Sequence, residues 1–251
     1  MFAKNPLILA ALAAGLTASG MAMASDLSGV MNSAAVYGNL SGISNSGGNS
    51  AGGIGVKGSF MTNQGWMLSA DYHHDFDTLI ESPYQTTGGG MTGINVKAGY
   101  LFPFSQNFRV GPYLAYQYSR FGINFNAGQV QNASLHLTNN AIGGGLEAGY
   151  GMGPLVFTGD VAYLAGVSAT DTLRGNGLTT SVTSTSGSSN VVQVGLQANY
   201  QISGPWYALA GFKYDDYTNG GANLNLLQGN VGLGYSFGYL QSRVGIEQFC
   251  R

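Results

Sequence analysis

Apolar and polar residues alternate along most of this chain with a period of two. In a β-strand, successive side chains point to opposite faces, so such a period indicates one apolar and one polar face. The stretch NVVQVGLQANYQIS, residues 190–203, is the clearest case, because Gln, Asn and Gly fill the face opposite its apolar residues. The apolar face carries Val192, Val194, Leu196, Ala198, Tyr200 and Ile202.

The same period recurs elsewhere, and the connections between the repeats alternate in length. Short turns are expected near residues 62–65, 103–107, 151–154 and 203–205, and longer polar loops near residues 45–50, 78–90, 122–133 and 169–188. Short turns at one end and long loops at the other are typical of outer-membrane β-barrels. The other segments with this period are GIGVKGSF, WMLSADYHHDF, GINVKAGYLF, FRVGPYLAYQY, AIGGGLEAGY, LVFTGDVAYLAGV, WYALAGFKYDDY, LLQGNVGLGYSF and YLQSRVGIEQF, with AAVYGNLSGIS as a weaker candidate.

These segments add up to eleven candidate strands, although a bacterial single-chain barrel needs an even number. The last candidate lies in the tail after Phe237, where residues 238–251 continue the alternation. We expect the miscounted strand to lie at one end of the chain. The sequence therefore predicts an all-β fold, a single antiparallel transmembrane barrel of ten strands, with twelve as the first alternative and eight as the second.

Composition favours a membrane barrel over a soluble one. Only 8% of residues are charged, whereas a soluble surface has roughly 25 to 35% charged positions. A soluble periplasmic β-sandwich or lipocalin-like barrel stays as the alternative. The net charge of −2 offers no basic face, so we expect no nucleic acid partner, and Cys250 alone excludes an internal disulfide. Nothing in the sequence predicts a cofactor.

The first 24 residues have the pattern of a secretory signal peptide. Lys4 precedes the apolar run PLILAALAAGL, and the small-residue motif AMA ends at Ala24. We therefore expect cleavage there, a barrel domain over residues 25–251, and export to the outer membrane of a Gram-negative bacterium. Expected partners are outer-membrane lipid and the barrel-assembly and periplasmic chaperone machinery.

Charged and aromatic residues take positions that fit a bilayer. Charges on the polar strand faces are expected to line the lumen, because an Arg or Lys facing lipid at the midplane costs about 2–4 kcal/mol. The expected lumen residues are Lys57, Asp71, His73, Lys97, Arg109, Glu147, Asp160, Lys213, Asp215, Arg243 and Glu247. Aromatic residues beside the short turns are expected to form an interfacial girdle: Trp66, Tyr100, Phe102, Tyr150, Tyr200, Trp206, Tyr235 and Phe237.

Segments such as IGVKGSFMTNQGWMLSADY, GLEAGYGMGP and GNVGLGYSF resemble strand-turn-strand units of the small outer-membrane β-barrel superfamily, which includes opacity, attachment and small porin-like proteins. The resemblance spans the mature chain and rests on pattern, not on a specific motif. It implies the fold and the outer-membrane location, and it leaves the activity open.

Three functions follow as hypotheses. The first is a narrow porin-like channel for small solutes or a structural barrel with a polar lumen, and the second is a surface adhesin that binds host molecules through its loops. The third comes from DYHHDFD, residues 71–77, and from Asp215 and Asp216, which loosely resemble the acidic and histidine groups of the omptin proteases. We expect this cluster to solvate the barrel rim, and we expect no enzymatic activity.

Overall fold

The chain folds into a closed antiparallel β-barrel of ten strands, which confirms the predicted fold and strand number. The computed structural model describes residues 31–43, 50–76, 85–105, 107–127, 130–175, 178–184, 188–219 and 222–237. The short strands β5 and β9 pair with barrel strands but do not belong to the closed ring. The strands are β1 (Ser33–Ile43), β2 (Ser50–Met61), β3 (Trp66–Asp75), β4 (Gln85–Tyr100), β5 (Phe102–Pro103), β6 (Phe108–Ala127), β7 (Val130–Met152), β8 (Leu155–Gly175), β9 (Leu178–Ser184), β10 (Asn190–Ser203), β11 (Trp206–Asn219) and β12 (Ala222–Ser236).

The barrel closes where β1 pairs with β12. The two strands align from Ser33 with Ser236 to Ile43 with Leu226, so the weakest sequence candidate is a complete strand. Ten of the eleven candidates are thereby accounted for. The eleventh, in residues 239–249, and the signal peptide of residues 1–24 lie outside the described residues.

The outer surface of the barrel is apolar. Leu114 is 71% exposed, Val231 66% and Leu196 61%, while residues of opposite parity on the same strands point inward and are mostly polar. A soluble barrel has the reverse arrangement, with its polar face toward water. Among the described residues, no helix is both long and apolar enough to span a membrane.

Four short turns lie at one end of the barrel, together with the first residue of β1 and the last of β12. They join β2 to β3, β5 to β6, β7 to β8 and β10 to β11, as the sequence predicts. Gly153 and Gly204 adopt φ values of 58° and 53°, in the left-handed region that a side chain disfavours. Glycine at these two positions therefore permits the tight turns.

At the opposite end, several strands run on through segments that the sequence pattern assigns to loops. Strand β6 has 20 residues, β7 has 23 and β8 has 21, although a tilted strand crosses a bilayer in about 9–11. The expected loop at residues 122–133 is mostly strand, the one at 169–188 contains the paired strands β8 and β9, and the one at 78–90 contains the start of β4. These three loop assignments were wrong.

The extra length forms a structure that we call the projecting sheet: residues 119–127 of β6, 130–140 of β7, 168–175 of β8, and β9. Its Gly, Asn, Ser and Thr residues favour loops in isolation. Pairing between neighbouring strands overrides that preference, because strand propensity depends strongly on context. The sheet continues the barrel wall on one side beyond the membrane-spanning band.

Candidate functional site: the filled interior of the barrel

A cluster of charged residues crosses the middle of the barrel. The Lys97 ammonium on β4 lies 2.9 Å from Asp160 Oδ1 on β8 and 3.5 Å from Glu147 Oε2 on β7. Tyr113 on β6 donates its hydroxyl proton to Asp160 Oδ2 at 3.0 Å, and the Lys97 ammonium lies 4.8 Å from the centre of its ring. One cation thus holds two carboxylates from neighbouring strands.

Lys57 makes a link to the opposite wall. Asp71 is its partner in the β2–β3 register, but Asp71 accepts hydrogen bonds from the Tyr37 hydroxyl and lies 3.6 Å from His73. The Lys57 ammonium instead donates to Gln197 Oε1 on β10 at 2.7 Å. Because Lys can only donate, this bond fixes the orientation of the Gln197 amide, which then donates to Asn199 Oδ1.

A second set of hydrogen bonds lies closer to the long-loop end. Asp215 Oδ2 accepts from the Lys213 ammonium and from the Gln117 amide, both at 2.9 Å, and so joins β11 to β6. Asp75 Oδ1 accepts from Asn39 at 2.8 Å, joining β3 to β1. Buried polar groups are costly unless they are hydrogen-bonded, so these links stabilise a single arrangement of the interior.

His73 and Asp75 of the DYHHDFD segment, and Asp215, do not lie at a solvated rim. His73 is 6% exposed and Asp75 is fully buried, and Asp215 is 1% exposed. The expectation that this cluster solvates the rim was wrong. Alternation places His73 and Asp75 on the lumen side, and both are buried there; Asp75 pairs in register with the buried Met91.

Two apolar layers enclose the polar interior. We call the layer at the long-loop end the roof and the layer at the short-turn end the floor. Leu164, Val191 and Leu226 in the roof have no exposed surface. The roof comprises Ile43, Met91, Phe121, Leu164, Val191, Tyr217 and Leu226, and the floor comprises Met31, Met61, Met67 and Leu101.

A cavity of about 130 Å³ lies between these layers. Lys57, Asp71, Lys97, Asp160 and Lys213 line it, together with polar side chains from most strands. A water molecule needs about 10–15 Å³ of such space and two to four polar partners, so the cavity has room for several waters. The interior is therefore a filled polar core with room for water, and buried apolar side chains lie toward both of its ends.

The remaining lumen candidates lie beside the floor, along the cavity wall, or outside the described residues. Arg109 lies beside the floor, with Nη1 3.8 Å from the Met61 sulfur. Glu147 and His73 line the cavity, whereas Arg243 and Glu247 lie outside the described residues. Within the part of the chain that is described, no three His, Cys, Asp or Glu side chains converge as a metal site would require.

The aromatic residues expected in a girdle lie around the short-turn end. Trp66 is 59% exposed and Trp206 is 54% exposed, and each packs edge to face against a tyrosine on the neighbouring strand. Such amphipathic rings suit the boundary between lipid tails and headgroups. Phe102, Tyr150 and Phe237 are also largely exposed there, and Tyr100, Tyr200 and Tyr235 are partly exposed.

Interior aromatic rings lie over glycines on neighbouring strands. Tyr37 pairs in register with Gly55, His73 with Gly93, Tyr207 with Gly234, and Tyr113 with Gly145. A Cβ atom on any of these four glycines would collide with the partner ring. Tyr37, Tyr113 and Tyr207 were not among the predicted interior residues. Their inward parity was visible in the sequence, but the pairing with glycine depends on the strand register.

Fold and interior together define a small ten-stranded barrel of the outer-membrane type, with an apolar outside and a packed polar inside. The outer membrane protease OmpT from Escherichia coli has a similar fold, with a TM-score of 0.52 and 13% identity over 82% of this chain and 94% of that one. At this identity the likeness concerns the fold alone.

Two further solved structures were matched at lower similarity. The translocator domain of the autotransporter NalP from Neisseria meningitidis has 15% identity over 92% of this chain and 94% of that one, with a TM-score of 0.46. The attachment invasion locus protein Ail of Yersinia pestis has 11% identity over 82% and 95%, with a TM-score of 0.38. No family model and no curated protein matches the chain.

Proposed function

We propose that the protein is a non-conducting barrel of the bacterial outer membrane, which displays the projecting sheet as an interaction surface for molecules outside the cell. The observation that carries this proposal is the roof of buried apolar side chains, in which Leu164, Val191 and Leu226 have no exposed surface. We expect a barrel whose interior is filled in this way to pass no solutes. The projecting sheet is then the part of the protein that is free to bind other molecules.

The membrane location is supported by the apolar outside and by the exposed aromatic residues near the short turns. The signal peptide of residues 1–24 would bring the chain across the inner membrane, and outer-membrane lipid and the barrel-assembly and chaperone machinery would be its partners. Cell fractionation tests this part. Recovery of the protein among soluble periplasmic proteins would contradict it.

The sealed interior is tested by planar-bilayer recording. We expect no ionic conductance from the purified full-length protein at the applied voltages that open known small porins. The double variant Phe121→Ala with Leu226→Ala removes two side chains of the roof, and its conductance is compared with that of the unmodified protein. Steady single-channel currents from the unmodified protein would contradict the proposal.

The interaction surface is tested by shortening the projecting sheet. Pairing between β8 and β10 involves residues 155–164 of β8, so removal of residues 170–183 leaves the barrel closure intact. We expect the shortened protein to insert normally and to lose binding to host cells or extracellular matrix. Unchanged binding by the shortened protein would show that this sheet is not the adhesive surface.

A narrow channel for small solutes is the second candidate, and the cavity of about 130 Å³ is the observation that favours it. Conduction would require both the roof and the floor to open. Solute-dependent swelling of proteoliposomes that contain the protein distinguishes this candidate, because a sealed barrel gives no swelling.

The rim protease is not favoured by the geometry. His73 contacts Gln228 and Asp71 inside the barrel, and Asp75 and Asp215 are buried below the roof, so none of the three faces a cleft that a peptide could enter. Peptide cleavage that is present in the unmodified protein and lost in His73→Ala would restore this alternative.

A further inference from the structure

The outer face of the projecting sheet carries three basic side chains in a diagonal line. Arg120 on β6 pairs in register with Thr138 on β7, and Arg174 on β8 pairs with Ser134 on β7. His136 lies two residues from each of these β7 positions and on the same face. Diagonal neighbours on a sheet face lie about 7–8 Å apart, so His136 stands between the two arginines. We call these three residues the basic stripe.

The basic stripe has no carboxylate partner among the described residues. Arg120 and Arg174 are exposed, and neither forms an ion pair with a described acid. The nearest acid along β8 is Asp171, and its odd position places it on the opposite face of the strand. Burial lowers the pKa of His136, and the positive charges of Arg120 and Arg174 lower it further.

The His136 imidazole occupies a defined position in the stripe. Gly122 is its direct partner on β6, and a Cβ atom there would come within 3.0 Å of His136 Nδ1. The absence of a side chain at Gly122 therefore gives the ring its place against β6. His136 Nδ1 is buried and has no hydrogen-bond partner.

The stripe begins where the apolar band of the barrel ends. Tyr116 and Tyr118 precede Arg120 on the same outward face of β6, and Tyr116 is 39% exposed. Tyrosines at such positions lie at the level of the lipid headgroups in membrane barrels. Arg120 therefore lies at the headgroup level, and His136 and Arg174 lie progressively farther from the lipid tails.

We propose that the basic stripe binds phosphate groups carried by lipids of the outer leaflet. Arginine guanidinium groups match phosphate oxygens with paired, charge-assisted hydrogen bonds, which are stronger than neutral ones. Outward orientation and closeness to the apolar band favour a lipid headgroup over a soluble anion. The binding site goes beyond the proposed function and rests on its membrane location.

The test uses full-length protein in nanodiscs of phosphatidylcholine, with or without phosphatidic acid, whose phosphomonoester carries a net negative charge that the zwitterionic phosphatidylcholine headgroup lacks. Native mass spectrometry counts the phosphatidic acid that stays bound, and NMR follows the titration of His136. We expect retained phosphatidic acid and a higher pKa of His136 in its presence. The double variant Arg120→Gln with Arg174→Gln should weaken binding at least about tenfold, because it removes both guanidinium groups that donate charge-assisted hydrogen bonds.

Three controls separate the alternatives. The shift of His136 must disappear in the double variant, because the general effect of a negative membrane surface would remain there. The variant Asp171→Asn removes a charge from the opposite face of β8 and should bind as the unmodified protein does. Inorganic phosphate in pure phosphatidylcholine nanodiscs should leave His136 unchanged.

Equal retention of phosphatidic acid by the double variant and the unmodified protein would overturn the proposal. An equal shift of His136 with inorganic phosphate alone would show a soluble-anion site and would overturn the assignment to lipid. Failure of the protein to enter nanodiscs at all would contradict the membrane location first, and the lipid site with it.

Discussion

Lys97 shows how single residues decide the stability of this interior. Its side chain is 13% exposed, and those of Glu147 and Asp160 are 12% and 14% exposed. Water therefore screens their charges poorly, and each carboxylate depends on the lysine for compensation. Breaking a buried ion pair by removing one partner costs about 3–5 kcal/mol, because it leaves an uncompensated charge.

We expect Lys97→Met to lower the free energy of unfolding by about 3–5 kcal/mol, since two buried carboxylates lose their cation. Urea unfolding of the protein refolded into lipid vesicles measures this change. The triple variant Lys97→Met, Glu147→Gln and Asp160→Asn removes all three charges and should regain most of the stability. A triple variant as unstable as the single one would show that Lys97 acts through packing and not through charge.

Several of these residues were predictable from the sequence as lumen residues, but their partners were not. Period-two alternation is enough to give the inward parity of Lys57, Asp71 and Lys97. It cannot show that Lys57 bonds to Gln197 across the barrel in preference to Asp71 beside it, because that choice depends on which strands face each other. The cross-barrel contacts follow from closure of the ring, which no local pattern contains.

At the scale of elements, the pairing of aromatic rings with glycines determines how neighbouring strands fit together. Four inward rings lie over glycines of the adjacent strand, and the ring fills the space that a side chain would otherwise occupy. Aromatic coverage of strand glycines is a known device for fixing register. The glycines of this chain therefore serve the packing of the interior as well as its tight turns.

We expect Gly55→Ala to destabilise the barrel by about 1–3 kcal/mol, because the new methyl group would push the Tyr37 ring from its position over β2. Gly58→Ala on the same strand is the matched control, since a Cβ there meets nothing within 4 Å. Thermal unfolding in detergent compares the two variants. Equal losses in both would show that backbone flexibility, and not the ring contact, accounts for the effect.

The strands and short turns were predicted well in the membrane-spanning part of the barrel, and the strands were predicted poorly beyond it. Within the band, one face meets lipid and the other meets the core, so alternation is strong and all four short turns follow from it. In the projecting sheet, the outer face carries Arg120, Asn124 and Thr138 and meets no lipid tails, so the pattern weakens. Residues 122–133 consequently resemble a loop in sequence, although they pair in β6 and β7.

At the scale of the whole molecule, the roof separates the polar interior from the outside. Ser41 is 1% exposed below the roof, whereas Asn124 in the projecting sheet is exposed. We expect Ser41→Cys to react with a water-soluble maleimide at least about a hundredfold more slowly than Asn124→Cys, both in a Cys250→Ser background. That ratio corresponds to an opening free energy of about 2.8 kcal/mol, at 1.4 kcal/mol per tenfold.

The added variants Phe121→Ala and Leu226→Ala should raise the labelling rate of Ser41→Cys toward that of Asn124→Cys, because they remove roof side chains. Circular dichroism checks that the barrel remains folded. Similar labelling of both cysteines in the presence of an intact roof would mean that the interior opens readily, and it would favour the channel.

Closure of the ring leads to the last prediction. Each of the ten barrel strands has a neighbour on both sides, and β1 pairs with β12 along its whole length, up to Ser33 with Ser236. Residues 238–251 alternate like a strand, but no position in the ring is left for one. We therefore expect a chain that ends at Phe237 to refold in vesicles with an unfolding free energy within about 0.5 kcal/mol of the full chain, the range of substitutions that touch no key contact.

A chain that ends before β12, at residue 221, should fail to close, because β1 and β11 then lose their partner. Failure of the longer truncation as well would assign residues 238–251 a part in the barrel itself.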